Sequence, residues 1–273
     1  MARGTMLRGA RRLAAVVAAA LLLSGCGLFG SDDEEYVERP PEELYNIGYA
    51  YMQQEEFERA ARAFDEVDRQ HPYSPWATQA QLMAAYAHYL QDKYDDAVIA
   101  LDRFIELHPG NRSVAYAYYL KALCYYEQIV DIGRDQKNTQ LAFDSLNDVV
   151  NRFPNTPYAR DAALKLDLAR DHLAGKHMEV GRFYLERGQY LAAINRFRQV
   201  IEQYQTTTHV PEALHRLTEC YLAVGIKDEA QTAAAVLGHN YPGSNWYQDS
   251  YALLTSENLE PMEKEGSWLS DIF

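Results

Sequence analysis

A short motif of aromatic residues and prolines recurs along the chain, and its spacing limits the folds that the chain can adopt. The hexapeptide HPYSPW at 71–76 returns as FPNTPY at 153–158 and as YPGSNW at 241–246, and a shorter form, HPGN, lies at 108–111. The intervals between equivalent positions are 37, 45, 51 and 37 residues, counted over Pro72, Pro109, Pro154, Gln205 and Pro242. Repeats of this length are typical of stacked helical hairpins.

Between these marks the sequence follows the tetratricopeptide pattern, in which W-x2-L-G-x2-Y precedes A-x3-F and a proline. The first repeat follows it from Leu44 through Gly48 and Tyr51 to Ala60 and Phe64. Small residues recur where the two helices of a hairpin must cross, and on the first helices they are Gly48, Ala85, Ala122, Gly181 and Thr218. On the second helices they are Ala60, Ala97, Ala142, Ala193 and Ala230. We therefore predict an all-α tetratricopeptide-repeat solenoid of about five helix hairpins plus a C-terminal capping helix.

The recurring motif is expected to form the seam between hairpins. Its first proline ends one helix, its small polar residue caps the next, and a second proline suits the first turn of that helix. The predicted caps are Ser74, Thr156 and Ser244. The aromatic residues expected to pack each new helix onto the previous hairpin are Trp76, Tyr158 and Trp246.

Two segments exceed the repeat length. The third repeat carries eight extra residues within 127–138, between its two helices, where an insertion usually forms a surface loop. The stretch 158–175 has helical periodicity and is expected to lengthen the first helix of the fourth repeat. The predicted organisation is N-terminal repeats one to three over 42–156, repeats four and five with the capping helix over 157–256, and a flexible tail over 257–273.

The first residues have the composition of an export signal. Four arginines accompany an apolar stretch at 13–23 that is too short to span a bilayer. The stretch ends in LSGC, which resembles a bacterial lipobox. That resemblance implies that residues 1–25 are a cleaved signal peptide and that Cys26 carries the lipid, with acyl chains such as palmitate. The alternative is a plain secretory signal in which the cysteine is present by chance.

The segment that follows Cys26 is predicted to be a tether. Residues 26–41 combine glycine, a run of acidic residues and two prolines, a composition that cannot bury a core. Gly27 follows the cysteine, which by resemblance to enterobacterial sorting implies an anchor in the outer membrane, on its periplasmic face.

Composition and motifs argue against several classes of function. The net charge is −13, which disfavours a general affinity for nucleic acid. The sequence has no HExxH motif, no histidine and cysteine spacing suited to zinc and no glycine-rich phosphate loop, so we predict no catalytic residues, no metal and no cofactor. Cys124 and Cys220 occupy positions where other repeats have alanine, so both are expected to be buried and unpaired. The chain is accordingly predicted not to be an enzyme.

The first helices of tetratricopeptide proteins line a groove, and this chain places many tyrosines at the corresponding positions. The predicted substrate-peptide groove consists of Tyr45, Tyr49, Met52, Leu82, Tyr86, Tyr89, Tyr119, Leu123 and Tyr126. Tyrosine offers a large contact area with a polar tip, which suits an extended peptide rich in aromatic residues. The alternative is that several of these side chains only pack between repeats.

Together these features resemble the BamD family, also called ComL or YfiO, lipoproteins of the outer-membrane β-barrel assembly machinery. The resemblance rests on the lipobox, the acidic tether, the five repeats, the inserted GRD segment and the stretch GRFYLERGQYLAAINRFRQVIEQY at 181–204. It implies binding of the C-terminal signals of unfolded outer-membrane β-barrel proteins by the N-terminal repeats. It also implies docking of BamA, near its last POTRA domain, on the C-terminal repeats, in a complex with other Bam lipoproteins.

The docking site is predicted from a local reversal of charge in the fourth repeat. The arginines assigned to partner docking are Arg182, Arg187, Arg196 and Arg198. Arg196 and Arg198 are expected to face outward, where a guanidinium can pair with a carboxylate of a partner; ordinary surface charge, neutralised by Glu186 or Glu202, is the alternative.

Two other functions stay open at this point. One is a different tetratricopeptide lipoprotein of the envelope, such as a pilotin for secretin assembly or a coordinator of envelope constriction. The other is an enzyme such as a murein hydrolase, against which the absence of a catalytic domain argues.

Overall fold

Eleven α-helices follow one another in the part of the chain that the computed structural model describes, residues 38–270 and 272, and this part contains no strand. In chain order they are α1 (Pro41–Gln53), α2 (Phe57–Gln70), α3 (Pro75–Tyr89), α4 (Tyr94–Leu107), α5 (Val114–Tyr126), α6 (Lys137–Arg152), α7 (Pro157–Glu186), α8 (Tyr190–Gln203), α9 (Val210–Ala223), α10 (Lys227–Asn240) and α11 (Asn245–Ser256). The predicted signal peptide, Cys26 and most of the predicted tether lie outside the described residues.

The helices pair as the repeat pattern predicts. Each helix packs against the next one in the chain, and the first helices of neighbouring hairpins also meet, α1 with α3, α3 with α5 and α5 with α7. The last helix, α11, packs on both α9 and α10 and closes the series as the capping helix. The all-α tetratricopeptide fold is therefore confirmed.

The seam motifs begin the helices in the predicted way. The hydroxyl of Ser74 accepts a hydrogen bond from the backbone N–H of Trp76 at 3.2 Å, and that of Thr156 accepts one from Ala159 at 3.2 Å. Ser244 caps α11 through the N–H of Tyr247, again at 3.2 Å. These side chains satisfy amide donors that a helix start would otherwise leave unpaired.

Small residues occupy the helix crossings because nothing larger fits there. A Cβ added at Gly48 would lie 2.7 Å from Cε1 of Phe64, and one at Gly181 would lie 2.4 Å from Cε1 of Phe197. Both phenylalanines are completely buried, on the second helix of the same hairpin. The first and fourth hairpins thus share one packing solution, a glycine facing a phenylalanine ring.

The two long segments have the predicted structure, with a shift at one boundary. The insertion is a loop over 127–136, because α6 already begins at Lys137. The 30 residues of α7 form a single helix, which confirms that 158–175 extends the first helix of the fourth repeat. The long helix holds the loop, since Nε2 of His172 lies 2.7 Å from the carbonyl oxygen of Val130.

The residues after α11 are packed onto the repeats, which corrects the expectation of a flexible tail. Leu269 is completely buried in the C-terminal core, and Ser267 is nearly so. The backbone also pairs with α10, since the N–H of Met262 donates to the carbonyl of Gln231 at 3.3 Å. The spacing rules of the repeat could not predict this, because the segment has no helical pattern of its own.

Candidate protein-binding surfaces

The first part of the predicted groove lies on α1, where the three assigned residues differ in exposure. Tyr45 packs between the rings of Phe64 and Trp76, with centroid distances of 5.3 and 5.0 Å. Met52 packs against the same apolar cluster, whereas the side chain of Tyr49 is 50% exposed. Tyr45 and Met52 therefore hold the first two repeats together, and Tyr49 presents its ring to solvent.

The next part lies on α3 and α5. Tyr86 and Tyr89 stack on each other with centroids 6.3 Å apart, and Tyr89 also meets Tyr94 at 5.8 Å. Leu82 and Leu123 pack against the same cluster as these rings. All four assigned side chains are half-buried, so each one packs between helices and keeps part of its surface accessible.

The last part connects α5 to α7. Tyr119 stacks on Tyr158, with centroids 5.4 Å apart, and its hydroxyl donates to a carboxylate oxygen of Asp161. Nζ of Lys165 pairs with Asp161 at 2.9 Å and lies 5.6 Å from the ring centroid of Tyr126. Tyr119 and Tyr126 of the third repeat thus contact a pair of charged side chains on the long helix.

Two further tyrosines of this surface are not among the groove positions predicted from the sequence. Tyr116 and Tyr158 lie 5.5 Å apart and connect the rings of α5 with the start of α7. Tyr116 lies one helical turn before Tyr119, so the helical period could have identified it. The seam motif predicts a packing role for Tyr158, and the structure also places its ring beside Tyr116 and Tyr119. We call these seven tyrosines of α1, α3, α5 and α7 the tyrosine face: Tyr49, Tyr86, Tyr89, Tyr116, Tyr119, Tyr126 and Tyr158.

Burial keeps three phenols of the tyrosine face neutral. Burial raises the pKa of Tyr89, Tyr116 and Tyr119 above the ordinary value of a phenol. The hydrogen bond from Tyr119, together with Lys165, lowers the pKa of the Asp161 carboxyl, which stays ionised. The tyrosine face therefore offers aromatic rings and hydroxyl groups, which can contact apolar and aromatic side chains of a peptide.

A cleft continues the tyrosine face beyond Tyr126. The inserted loop, α7 and the loop before α9 enclose about 510 Å³, lined by Tyr126, Glu127, Ile129, Ile132, Leu168, Asp171, His172, Gly175 and His209. The carboxylate of Asp171 accepts hydrogen bonds from the N–H and the hydroxyl of Thr208, at 3.1 and 2.9 Å, which joins two walls of the cleft. The sequence indicated an insertion here, but it could not show that the loop folds back on α7.

Two of the four arginines assigned to partner docking, Arg182 and Arg187, do not line the surface groove that contains the other two. Arg182 faces α9, where its guanidinium contacts both carboxylate oxygens of Glu212 at 2.9 and 3.0 Å. Arg187 lies at the end of α7 with its guanidinium 3.5 Å from the ring centroid of Phe183. Both of these arginines therefore make contacts within the chain, and neither lines the same groove as Arg196 and Arg198 on α8.

Arg196 and Arg198 lie on α8 and line a common groove. The groove encloses about 550 Å³, and its walls are Tyr184, Ala192, Asn195, Arg196, Arg198, Gln199 and Glu202. Arg196 donates to Gln199 at 3.4 Å, and Arg198 donates to Glu202 from Nε and Nη2 at 3.2 and 2.9 Å. Both side chains are half-exposed, so both reach the surface although each has an intramolecular partner.

The two internal cysteines have the predicted packing role. Cys124 and Cys220 are buried and unpaired, and burial raises the pKa of each thiol to about 12. Within residues 38–270 no group of three histidine, cysteine or acidic side chains is placed to hold a metal ion. None of the helices in this part of the chain is long and apolar enough to cross a membrane.

Comparisons with known proteins identify the family of this chain. The family model YfiO, described as an outer membrane lipoprotein, matches residues 37–237. The chain is 51% identical to an outer membrane protein assembly factor BamD of Caulobacter vibrioides, covering 93% of this chain and 83% of the relative. It is 47% identical to the BamD of Rickettsia prowazekii, covering 89% of this chain and 96% of that protein. These matches span the tyrosine face, the cleft and the α8 groove, and the chain belongs to the YfiO family of outer membrane lipoproteins, the BamD family.

Proposed function

We propose that this protein is an outer-membrane scaffold that assists the folding and insertion of outer-membrane β-barrel proteins. The observation that carries the proposal is the 51% identity, over 93% of the chain, to a protein named as an outer membrane protein assembly factor. Two surfaces support this role. The tyrosine face is suited to bind a peptide, and the groove along α8 is suited to bind a folded partner.

The tyrosine face is proposed to bind the C-terminal signal of an unfolded β-barrel protein. Aromatic rings such as those of Tyr49 and Tyr86 can contact apolar and aromatic side chains of many different sequences, which suits many different substrates. The cleft beyond Tyr126 adds apolar walls from Ile129 and Leu168, where a bulky side chain of the same peptide would be buried.

Photo-crosslinking tests this assignment directly. A photoreactive residue placed at Tyr49 or Tyr86 should capture a synthetic peptide that carries the C-terminal sequence of a barrel protein and ends in an aromatic residue. Tyr73 is the matched control, because it is 99% exposed in the seam between α2 and α3 and makes no part of the tyrosine face. Equal capture at Tyr73, or capture confined to α8 and α9, would place the peptide site elsewhere.

The groove along α8 is proposed to dock the POTRA region of BamA. Arg196 and Arg198 present guanidinium groups at its edge, in a chain whose net charge is −13. A guanidinium can form two parallel hydrogen bonds to a carboxylate of a partner, and removal of such a pair costs about 2–5 kcal/mol of binding.

Charge reversal on α8 separates docking from ordinary surface charge. We expect Arg196→Glu to retain its helical melting profile, because a half-exposed charge contributes little to folding, and to lose BamA in pull-downs. Arg62→Glu on α2 is the control, since Arg62, like Arg198, pairs with a glutamate on its own helix, at 2.7 Å, but lies outside the groove. Undiminished recovery of BamA by an Arg196→Glu, Arg198→Glu double variant would exclude this groove.

Attachment to the membrane is proposed to depend on Cys26. The LSGC sequence precedes it, and acyl chains on the cysteine would each contribute about 0.8 kcal/mol per buried methylene to membrane binding. Mass spectrometry of the mature N-terminus should show a lipid on Cys26, and Cys26→Ser should release the protein from the membrane fraction. An unmodified Cys26, or cleavage at another position, would contradict the proposal.

A further inference from the structure

The segment after α11 forms a strap across the last repeat, and its contacts are specific. We call residues 259–270 the C-terminal strap. Gln231 of α10 donates to the carbonyl of Glu260 at 2.8 Å, and the hydroxyl of Thr232 accepts from the N–H of Lys264 at 3.1 Å. Further along, the hydroxyl of Ser267 donates to Glu229 at 2.7 Å. The strap therefore runs along α10, and three buried polar side chains, those of Gln231, Thr232 and Ser267, hold it there.

The strap ends in an aromatic and an aliphatic anchor. Leu269 is completely buried within the same core cluster as Leu217 and Tyr221 of α9. The preceding residue, Trp268, donates from Nε1 to the hydroxyl of Tyr221 at 3.0 Å. Because Leu269 is buried and the indole is hydrogen-bonded, the ring of Trp268 has a fixed place and orientation on the surface.

That place is against the proposed docking groove. The guanidinium carbon of Arg198 lies 4.2 Å from the centroid of the Trp268 ring, a distance at which a cation is attracted to the ring face. Glu202 meanwhile receives hydrogen bonds from Nε and Nη2 of the same arginine. Two contacts from different elements thus restrict the Arg198 side chain, which on an isolated helix would sample many rotamers.

The arrangement leaves donors available for a partner. An arginine has five N–H donors in one plane, and a ring stacked on its face does not block the edges of that plane. Among the described residues, Nη1 of Arg198 has no hydrogen-bond acceptor. A carboxylate that enters the groove can therefore approach a guanidinium whose orientation is already set, which lowers the entropy cost of binding.

We propose that Trp268 is a positioning residue of the docking surface, and that the strap holds Arg198 ready for a carboxylate of a folded partner protein bound along α8. The inference rests on the proposed docking function of α8. A fixed strap is favoured over one that is displaced by the partner, because displacement would expose Leu269 and leave the buried Gln231 and Thr232 without their strap partners.

The test measures binding of full-length mature protein to a purified POTRA-domain fragment of BamA, with variants checked by circular dichroism. We expect Trp268→Ala to weaken binding about threefold to tenfold, the size of a cation–π contact, mainly through loss of the fixed guanidinium. Arg198→Ala should weaken it at least as much, and the double variant should bind like Arg198→Ala alone, because the tryptophan acts through the arginine. Trp268→Phe, which keeps a ring face, should recover part of the affinity.

Control variants separate this inference from general stability and from the docking proposal. Met262→Ala changes a half-exposed side chain of the same strap that does not contact Arg198, and should bind as the unmodified protein does. Tighter binding by Trp268→Ala would show that the strap competes with the partner. If Trp268→Ala binds as the unmodified protein does while Arg198→Ala binds more weakly, the strap has only a structural role. Either result overturns the inference about the strap but leaves the docking proposal for α8 intact. Full binding by both Arg198→Ala and the Arg196→Glu, Arg198→Glu double variant would instead overturn docking on α8 itself.

Discussion

Single residues at the helix crossings set the distance between the two helices of a hairpin. Gly181 faces Phe197 so closely that an added methyl group would lie 2.4 Å from a ring carbon. Phe197 cannot move away, because it is completely buried in the largest apolar cluster of the described chain. Close-packed cores respond to one extra carbon with strain in the side chain or backbone.

Gly181→Ala should therefore destabilise the protein although alanine favours helix. Alanine gains about 1 kcal/mol in helix propensity over glycine, and overpacking of a tight core costs about 1–3 kcal/mol. We expect a net loss of stability, measured as a lower midpoint in urea. Gly110→Ala is the control, since nothing lies within 4 Å of a Cβ at that position; equal midpoints for the two variants would contradict the packing argument.

At the scale of elements, the long helix α7 organises the third repeat. Nε2 of His172 contacts the carbonyl oxygen of Val130, and Nζ of Lys176 donates to the carbonyl of Gly133 at 3.3 Å. Both contacts hold the inserted loop 127–136 against the helix, and without them one wall of the cleft would be lost. The extra length of α7 and the insertion in the preceding repeat therefore belong to the same structural unit.

His172→Ala should release that loop. Because the histidine contact to Val130 is lost, we expect trypsin to cleave faster after the exposed Arg134, and amide exchange in 127–136 to increase. Gln140→Ala on α6 is a suitable control, since its amide contacts only the exposed Asp144. The same cleavage rate in both variants would show that the loop does not depend on α7.

The contact between α9 and the capping helix contains a buried histidine. His215 is buried there, with Nδ1 2.9 Å from the hydroxyl of Ser250 and its ring 5.2 Å from that of Trp246. Burial lowers the pKa of His215 below its usual value, and the positive charge of the nearby Arg216 contributes a smaller effect in the same direction. The unfolded chain therefore binds a proton more readily than the folded protein does.

Stability should consequently fall on acidification. A histidine with a depressed native pKa contributes stability above the unfolded pKa of about 6.5, and loses it as the pH falls towards the native pKa, by at most about 1.4 kcal/mol per pH unit. We expect the urea midpoint to drop between pH 7.5 and pH 5, and to drop less in His215→Gln, which keeps a polar partner for Ser250. His177, whose pKa burial also lowers, should supply part of the remaining dependence. An identical pH dependence in His215→Gln would contradict this account.

At the scale of the whole molecule, the buried apolar residues form separate clusters along the repeats. The C-terminal cluster contains residues of all five helices from α7 through α11 and of the strap. It is much larger than the cluster around Phe64 in the first hairpin. In repeat proteins each unit contacts only its neighbours, so stability varies along the chain. The N-terminal repeats, which carry much of the tyrosine face, should therefore open more readily than the C-terminal ones.

Two matched substitutions test this difference. Phe64→Ala and Phe197→Ala remove the same buried ring from equivalent positions, each at a cost of about 3–5 kcal/mol. We expect Phe64→Ala to increase amide exchange in α1 to α3 while α9 and α10 stay protected, and Phe197→Ala to lower protection across the C-terminal repeats. Uniform loss of protection in both variants would show a single cooperative unit.

The sequence by itself determined the repeats, their seams and their crossings, because these depend on local rules. These local rules act within one or two hairpins, where residues close in sequence are also in contact. They involve caps such as Ser74, prolines that end helices and small residues such as Gly48. It also placed the tyrosines of α1, α3 and α5 on one set of helices through the helical period. Family resemblance, and then 51% identity to a known assembly factor, supplied the function that periodicity alone does not contain.

Only the tertiary structure decided how segments without a periodic pattern fold back on the repeats. The inserted loop forms a cleft with α7, and the strap brings Trp268 to Arg198, 70 residues earlier in the chain. It also decided that Tyr45 packs in a seam whereas Tyr49 is exposed, and that Arg182 pairs with Glu212 of α9. Such contacts join residues distant in sequence, and their energy comes from burying particular side chains together, which no local pattern specifies.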